Sequence, residues 1–250
     1  MTTFALIHGM YMNSSSWDPW AERIRAAGHD VVVPEWPGRV ADPAQARAVV
    51  HPDLRALDYT GVVKAVRSQL THKEDLVLVG HSIGGLVVQS LLADGVGAAG
   101  VALSPAPPTG MLSLRPDFLR ANLPHTAFFI RSRPLEMDAD RWSYCFGNTL
   151  PREQSDALWA QICVPEARGI PVGSLTGQAK ISKASINAPL LVVGAEHDHL
   201  IPPSLSRRVA KRYSAEYRER AGAAHLLCSE PGWESLADEV LKWGVQTVES

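Results

Sequence analysis

At 250 residues, with 46% hydrophobic and 20% charged side chains, the chain has an ordinary globular composition and length for one sizeable domain. A formal net charge of −2 and the lack of a Lys/Arg-rich block argue against nucleic acid or an anionic membrane as partner. Three widely spaced cysteines (Cys145, Cys163 and Cys228) form no CxxC pair, which argues against a disulfide framework or a thiolate zinc site. The first apolar run, residues 4–7, is far too short for a signal peptide, and no other stretch approaches membrane-spanning length. A cytoplasmic protein with reduced thiols is expected.

Short apolar runs alternate with longer amphipathic ones, the pattern of βαβ units and a mainly parallel sheet. Strands are predicted at residues 4–7, 30–33, 76–79, 100–103, 189–193 and 216–219. The run Leu76-Val77-Leu78-Val79 is apolar on both strand faces, as a central parallel strand covered by helices requires. Ser14, Ser15 and Ser16 offer caps for a helix over 17–27 that stops at Gly28. Asp58 offers a cap for a helix over 59–70, with Val62, Val63, Val66 and Leu70 on one face. Further helices are predicted at 83–93, 204–213 and 233–248. Residues 105–183 break this rhythm with Pro and Gly punctuation and one predicted helix near 153–162. An insertion there would lie beyond the carboxyl end of a strand, where active sites form, so it reads as a cap.

Directly after the central strand stands Gly80-His81-Ser82-Ile83-Gly84, a G-x-S-x-G sequence in the strand–turn–helix context that this motif needs. A serine on so sharp a turn projects its hydroxyl clear of the sheet, and small flanking residues avoid collisions within the turn. The helix that follows aims its N–H groups and positive dipole end toward any developing oxyanion. Ser82 is therefore the candidate nucleophile.

A hydroxyl nucleophile needs a base, and the base needs an orienting acid. His225, in the small-residue loop Gly222-Ala223-Ala224-His225 after the last predicted strand, is the candidate base. His81 adjoins the serine but points away from it in such an elbow, and His8, His29, His51, His72 and His125 lack partners in the right order. The acid is sought between serine and histidine in chain order. Asp198 fits, just past the strand at 189–193, and Glu196 competes two residues closer to the strand end. The cluster Glu196-His197-Asp198-His199 also has metal-ligand chemistry, but no helical ligand pair accompanies it, so no metal is expected. Neither a P-loop nor G-x-G-x-x-G is present, so no cofactor is expected either.

A tetrahedral intermediate needs two preorganised N–H donors. Ile83 N–H can supply one, and Met10 N–H, on the loop His8-Gly9-Met10-Tyr11 after the first strand, the other. With these segments in order, the sequence resembles the α/β-hydrolase superfamily, particularly its small esterase and lysophospholipase-like bacterial members. The resemblance rests on His8-Gly9, the elbow at Ser82, the segment from Gly194 to Pro202, the His225 loop and the strand rhythm. It implies an α/β-hydrolase fold, a mainly parallel doubly wound sheet with helices on both faces and a cap insertion. It also implies Ser82, Asp198 and His225 as a triad, with Met10 and Ile83 as oxyanion donors. Pro34-Glu35-Trp36-Pro37-Gly38 departs from the superfamily's commoner D-x-x-G-x-G style of loop.

The reaction expected is cleavage of a small-molecule carboxylic ester through an acyl-enzyme. Non-hydrolytic members of the same superfamily (hydroxynitrile lyases, cofactor-free oxygenases, biosynthetic thioesterases or cyclases) are the alternative. For substrate contact the candidates are Tyr11, His81, Trp142 and Tyr144, within a wider apolar set that includes Met111, Leu114, Phe118, Phe128, Phe129, Met137 and Phe146. An apolar acyl or aromatic ester would suit such walls, although many of these side chains would serve as the cap's own core. The oligomeric state is not legible.

Overall fold

The computed structural model describes residues 1–70, 75–122 and 134–249, so His72, His125, Phe128 and Phe129 lie outside the described residues. Six strands form one parallel sheet: β1 (Thr3–Ile7), β2 (Asp30–Val32), β3 (Leu76–His81), β4 (Ala99–Leu103), β5 (Leu190–Ala195) and β6 (Glu216–Arg220). Their order is β2-β1-β3-β4-β5-β6. Winding starts at β1, runs outward to β2, then crosses back to β3 and proceeds the other way. The carboxyl ends of β1 and β3 therefore flank the point where direction reverses, and a crevice opens there.

Strand alternation sorts the core into two layers. Phe4, Leu6, Val77 and Val79 pack with Trp17, Trp20, Ile24, Leu236 and Val240 on the face covered by α1 (Asp18–Ala26) and α10 (Trp233–Val248). Ala5, Ile7 and Leu78 face the opposite layer, where α3 (Tyr59–Gln69), α4 (Ile83–Ala93) and α9 (Pro203–Tyr213) contribute Val62, Val66, Leu86 and Leu205. Each such fully buried large side chain contributes about 2 kcal/mol by removal from water. α4 is buried nearly all round, and its apolar sequence answers that position. Asp58 caps α3 as the sequence suggests, its Oδ1 accepting the Gly61 N–H at 2.8 Å.

The start of α1 differs from expectation. Ser14–Trp17 form one 3₁₀ turn, and α1 begins only at Asp18 with Pro19 in its first turn. Ser16 Oγ turns back to Asn13 O at 2.7 Å, and Ser14 N–H goes to Glu35, so the serines cap the turn and its loop instead of α1. The edge strand β6 reads Glu-Tyr-Arg-Glu-Arg, and Arg218 and Arg220 pair with Glu239 on α10 at 2.6 and 3.5 Å. Such a charged edge resists pairing with a stray strand.

Among the described residues, the segment between β4 and β5 holds four helices: α5 (Pro116–Asn122), α6 (Ala139–Cys145), α7 (Arg152–Ile162) and α8 (Gly169–Thr176). Only α7 was legible in the sequence. One further short helix, α2 (Pro43–Ala48), is capped by Asp42 and lies between β2 and α3. No described helix is long and apolar enough to cross a membrane.

Candidate active site

The site begins with the tight passage from β3 into α4. Ser82 sits at φ 55° and ψ −117°, a left-handed conformation that costs a serine roughly 1–3 kcal/mol and persists only where the surroundings enforce it. The enforcement is close packing: a Cβ on Gly80 would strike Gly84 O, and one on Gly84 would strike Ile7 O and His8 O. Ser82 N–H donates to Leu103 O at 3.0 Å, and Ser82 O accepts from Ala106 N–H at 2.9 Å, so the end of β4 and the loop after it hold the turn. Ser82 is half-buried at the wall of a cavity of about 260 Å³.

His225 lies on the loop after β6, its ring buried. Its Nδ1 stands 2.7 Å from Asp198 Oδ2, and both side chains are 0% exposed. Asp198 Oδ1 accepts two further hydrogen bonds, from Leu200 N–H and Ile201 N–H, each at 2.8 Å. A carboxylate only accepts, so Nδ1 carries the proton in that bond and Nε2 presents its lone pair. His225 Nε2 is buried and has no hydrogen-bond partner among the described residues, Ser82 Oγ included. Glu196, the competing acid, is half-exposed and turns instead to the backbone, accepting Gly222 N–H at 2.8 Å. It steadies the loop that bears His225. Glu230 does the same from the other side, accepting Ala224 N–H at 3.1 Å, and burial raises its carboxyl above the usual range.

The loop after β1 lies directly against the serine. A Cβ on Gly9 would come within 3.0 Å of Ser82 Cβ, and Met10 and Ile83 both line the cavity beside Ser82. Ile83 opens α4, so its N–H has no acceptor within the helix and faces the crevice end. His8 underpins this loop. Its Nδ1 meets Gly9 O at 2.9 Å and its Nε2 meets Glu35 Oε1 at 2.9 Å, with the ring tilted at 33° against Trp36, centroids 4.1 Å apart. Burial alone would raise the Glu35 carboxyl; the hydrogen bond and charge of His8, with the Ser14 N–H, outweigh it and hold the group at about 2. Glu35 and Trp36 belong to the loop that departs from the superfamily's usual pattern, and sequence reading assigned them no part.

Of the four candidates for substrate contact, only Tyr11 lines the cavity. His81 is fully buried beside it, its Nε2–H donating to His225 O at 2.8 Å, so it props the backbone of His225. Burial, then the nearby His225, drives the His81 imidazole well below its ordinary value and keeps it neutral. Trp142 lies one layer further out. It stacks on Phe146 at 4.3 Å and 7°, and it is Phe146 that meets the cavity and the edge of His225. Tyr144 packs on His199 and under Arg120, away from the cavity. Of the wider apolar set, Met111, Phe118, Met137 and Phe146 line the cavity, whereas Leu114 is 86% exposed.

The cavity wall carries no charged side chain among the described residues, its polar groups being Ser82, Thr109, Asn122, Ser174 and the Tyr11 hydroxyl. All three cysteines are buried and unbridged, and burial pushes Cys145 up to about 11 and Cys163 and Cys228 up to about 12. They are poor nucleophiles at neutral pH. No group of three His, Cys, Asp or Glu side chains able to hold a metal ion occurs among the described residues.

Solved structures share this architecture. A monoacylglycerol lipase from Paleococcus ferrophilus is 20% identical, with 98% of this chain and 94% of that one covered at a TM-score of 0.70. A pyrethroid hydrolase from Sphingobium faniae is 19% identical, covering 100% and 99% at 0.69. A methylesterase from Arabidopsis is 14% identical, covering 98% and 100% at 0.71. No curated protein sequence matches. The sequence model of the alpha/beta hydrolase family matches residues 4–239, nearly the whole chain, and the protein belongs to that family.

Proposed function

We propose that the protein is a serine carboxylic-ester hydrolase, with Ser82 as nucleophile, His225 as general base and Asp198 as the acid that orients it. One observation carries this reading: the strained Ser82 opens on a cavity whose described walls are uncharged, while His225 is hydrogen-bonded to Asp198 and keeps a buried Nε2 with no partner among the described residues. Ser82 Oγ attacks the ester carbonyl as its proton passes to His225 Nε2. The carbonyl oxygen becomes an oxyanion facing Met10 N–H and Ile83 N–H. Collapse breaks the C–O bond to the alcohol, which leaves with the proton from His225. Water then gives a proton to the same nitrogen as it attacks the acyl carbonyl; the C–O bond to Ser82 breaks, His225 returns the proton to Ser82 Oγ, and the acid is released. The Ser82–His225 hydrogen bond forms as the substrate closes the site; catalytic bonds commonly tighten on binding.

Residues 105–183 act as a cap, supplying most of the cavity wall, from Ala106 to Leu175. The described wall is uncharged and apolar, which favours a neutral ester, because a charged group would lose its hydration there without a partner among the described residues. A volume of about 260 Å³ falls just below the usual range of ligand pockets, roughly 300 to 1,000 Å³. Short acyl or single-ring esters fit it. The similar structures include a lipase, a pyrethroid hydrolase and a methylesterase, which is in keeping with ester cleavage. The test is hydrolysis of p-nitrophenyl acetate, butyrate and octanoate by the wild type and by Ser82→Ala. Turnover that disappears in the variant and falls off for octanoate is expected; wild-type protein that neither hydrolyses these esters nor labels with a fluorophosphonate would refute the proposal.

A further inference from the structure

Behind the Met10 loop lies a charged pair that the reaction itself does not use. Arg39, on the loop after β2, and Glu166, between α7 and α8, have side chains 1% and 0% exposed. Arg39 Nη2 donates to both Glu166 oxygens at 2.7 Å, and Nη1 donates to Pro165 O at 3.0 Å. Glu166 Oε2 also accepts the Tyr11 N–H at 2.9 Å, and Val164 N–H donates to Tyr11 O at 3.0 Å. Residues 164–166 thus hold both backbone groups of Tyr11.

Tyr11 needs holding. Its φ is 62°, a region that a bulky non-glycine residue leaves unless its surroundings over-determine it. Stability alone gives no reason for the pair, because apolar residues of similar volume usually serve a buried site as well or better. Its place in the chain supplies a reason. The Met10 N–H belongs to the peptide whose carbonyl is Gly9 O, and that carbonyl is tied to His8 Nδ1 at 2.9 Å. The next peptide ends in the Tyr11 N–H, tied to Glu166. No peptide bond among the described residues is cis, so the Met10 N–H points opposite Gly9 O, and the peptides on either side of Met10 are both anchored.

We infer that Arg39 and Glu166 are positioning residues that aim the Met10 N–H at the developing oxyanion. Arg39 neutralises and orients Glu166, Glu166 fixes the Tyr11 amide, and the strained Tyr11 backbone sets the direction of the donor before it. The inference rests on the esterase reading above. It also gives the insertion a second role: one of its residues reaches across to the β1 loop, 155 positions away in sequence, and sets the geometry of catalysis.

The test compares two charge-neutral doubles with the wild type: Arg39→Met with Glu166→Leu, which removes the acceptor, and Arg39→Met with Glu166→Gln, which keeps an amide oxygen for Tyr11. For the folded leucine double, kcat on p-nitrophenyl butyrate and the rate of Ser82 labelling by a fluorophosphonate both fall about 10- to 100-fold, short of losing a whole oxyanion donor. KM stays within about threefold, because the bond is used in the transition state. The glutamine double recovers most of the loss. A folded leucine double with wild-type kcat and labelling, or equal loss in both doubles, overturns the inference. Should the leucine double fail to fold, hydrogen exchange in the wild type decides: a protected Tyr11 amide is expected, and a freely exchanging one overturns it. Wild type that neither turns over nor labels sinks the esterase reading and this one together, whereas equal labelling of wild type and leucine double sinks this one alone.

Discussion

Asp198→Asn gives the sharpest test of how the base is oriented. In the wild type Oδ1 is held by the N–H groups of Leu200 and Ile201 at 2.8 Å each, and Oδ2 meets His225 Nδ1 at 2.7 Å. An asparagine must keep its one oxygen on the two backbone donors, since turning its NH₂ toward them would oppose donors to donors. The NH₂ then faces His225 Nδ1, which can only accept it as a lone pair. The imidazole proton moves to Nε2, and the nitrogen that should take the Ser82 proton is already occupied. Holding the wrong tautomer in a buried site costs about 10⁴ in kcat, equivalent to roughly 5 kcal/mol on the barrier. Steady-state hydrolysis of p-nitrophenyl butyrate at pH 7.5, with near-UV circular dichroism to show intact packing, measures it. A folded variant within tenfold of wild type would show that Asp198 does not set the tautomer, and the assignment of acid and base would fall.

Two further outcomes follow from packing and charge. Gly84→Ala places a methyl against Ile7 O and His8 O, backbone atoms that cannot step aside, so it should destabilise by about 3 kcal/mol in urea unfolding; a loss below about 1 kcal/mol would mean that α4 is not seated so closely. Glu35 is held at about 2 against its usual 4.5, a difference of about 2.5 units or roughly 3 kcal/mol, and with 34% of the side chain in solvent about 2 kcal/mol is expected. A carboxyl whose folded value is lowered stabilises fully above its unfolded value and loses that contribution as pH falls toward the folded one. Wild type should therefore exceed Glu35→Gln by about 2 kcal/mol at pH 7 and by less than half of that at pH 3; a difference unchanged between the two would contradict the His8–Glu35 pairing.

The six strands were legible because each is an apolar or alternating run bounded by turn residues, and a parallel sheet buried on both faces leaves that trace. Asp198 and His225 each follow their own predicted strand, and the structure brings the two into contact while turning Glu196 to a backbone N–H; Ser82, after the central strand, stands at the cavity wall. The short helices α5, α6 and α8 were not legible, since seven or eight residues with little amphipathic period leave no such trace. Aromatic content could not say which ring meets the cavity. Trp142 and Phe146 are four apart on one helical face and stack, so the inner ring takes the cavity and the outer one the core. His81 points away from the serine as the elbow requires, and its ring braces the backbone of His225 instead of lining the cavity. Arg39 and Glu166 carry no local signal at all, being 127 residues apart and joined only by the fold.

That junction constrains how this protein could be re-engineered. The cavity wall from Ala106 to Leu175 comes from one continuous stretch, while Ser82, Asp198 and His225 sit at the ends of β3, β5 and β6. Exchanging the stretch for another would at first sight change the choice of ester and spare the chemistry. A graft lacking Glu166 would strand the Arg39 guanidinium in the interior, and one grafted into a scaffold lacking Arg39 would strand the carboxylate. Successful chimeras of this protein should therefore carry residues 39 and 166 as a matched set, whichever lining they bring with them.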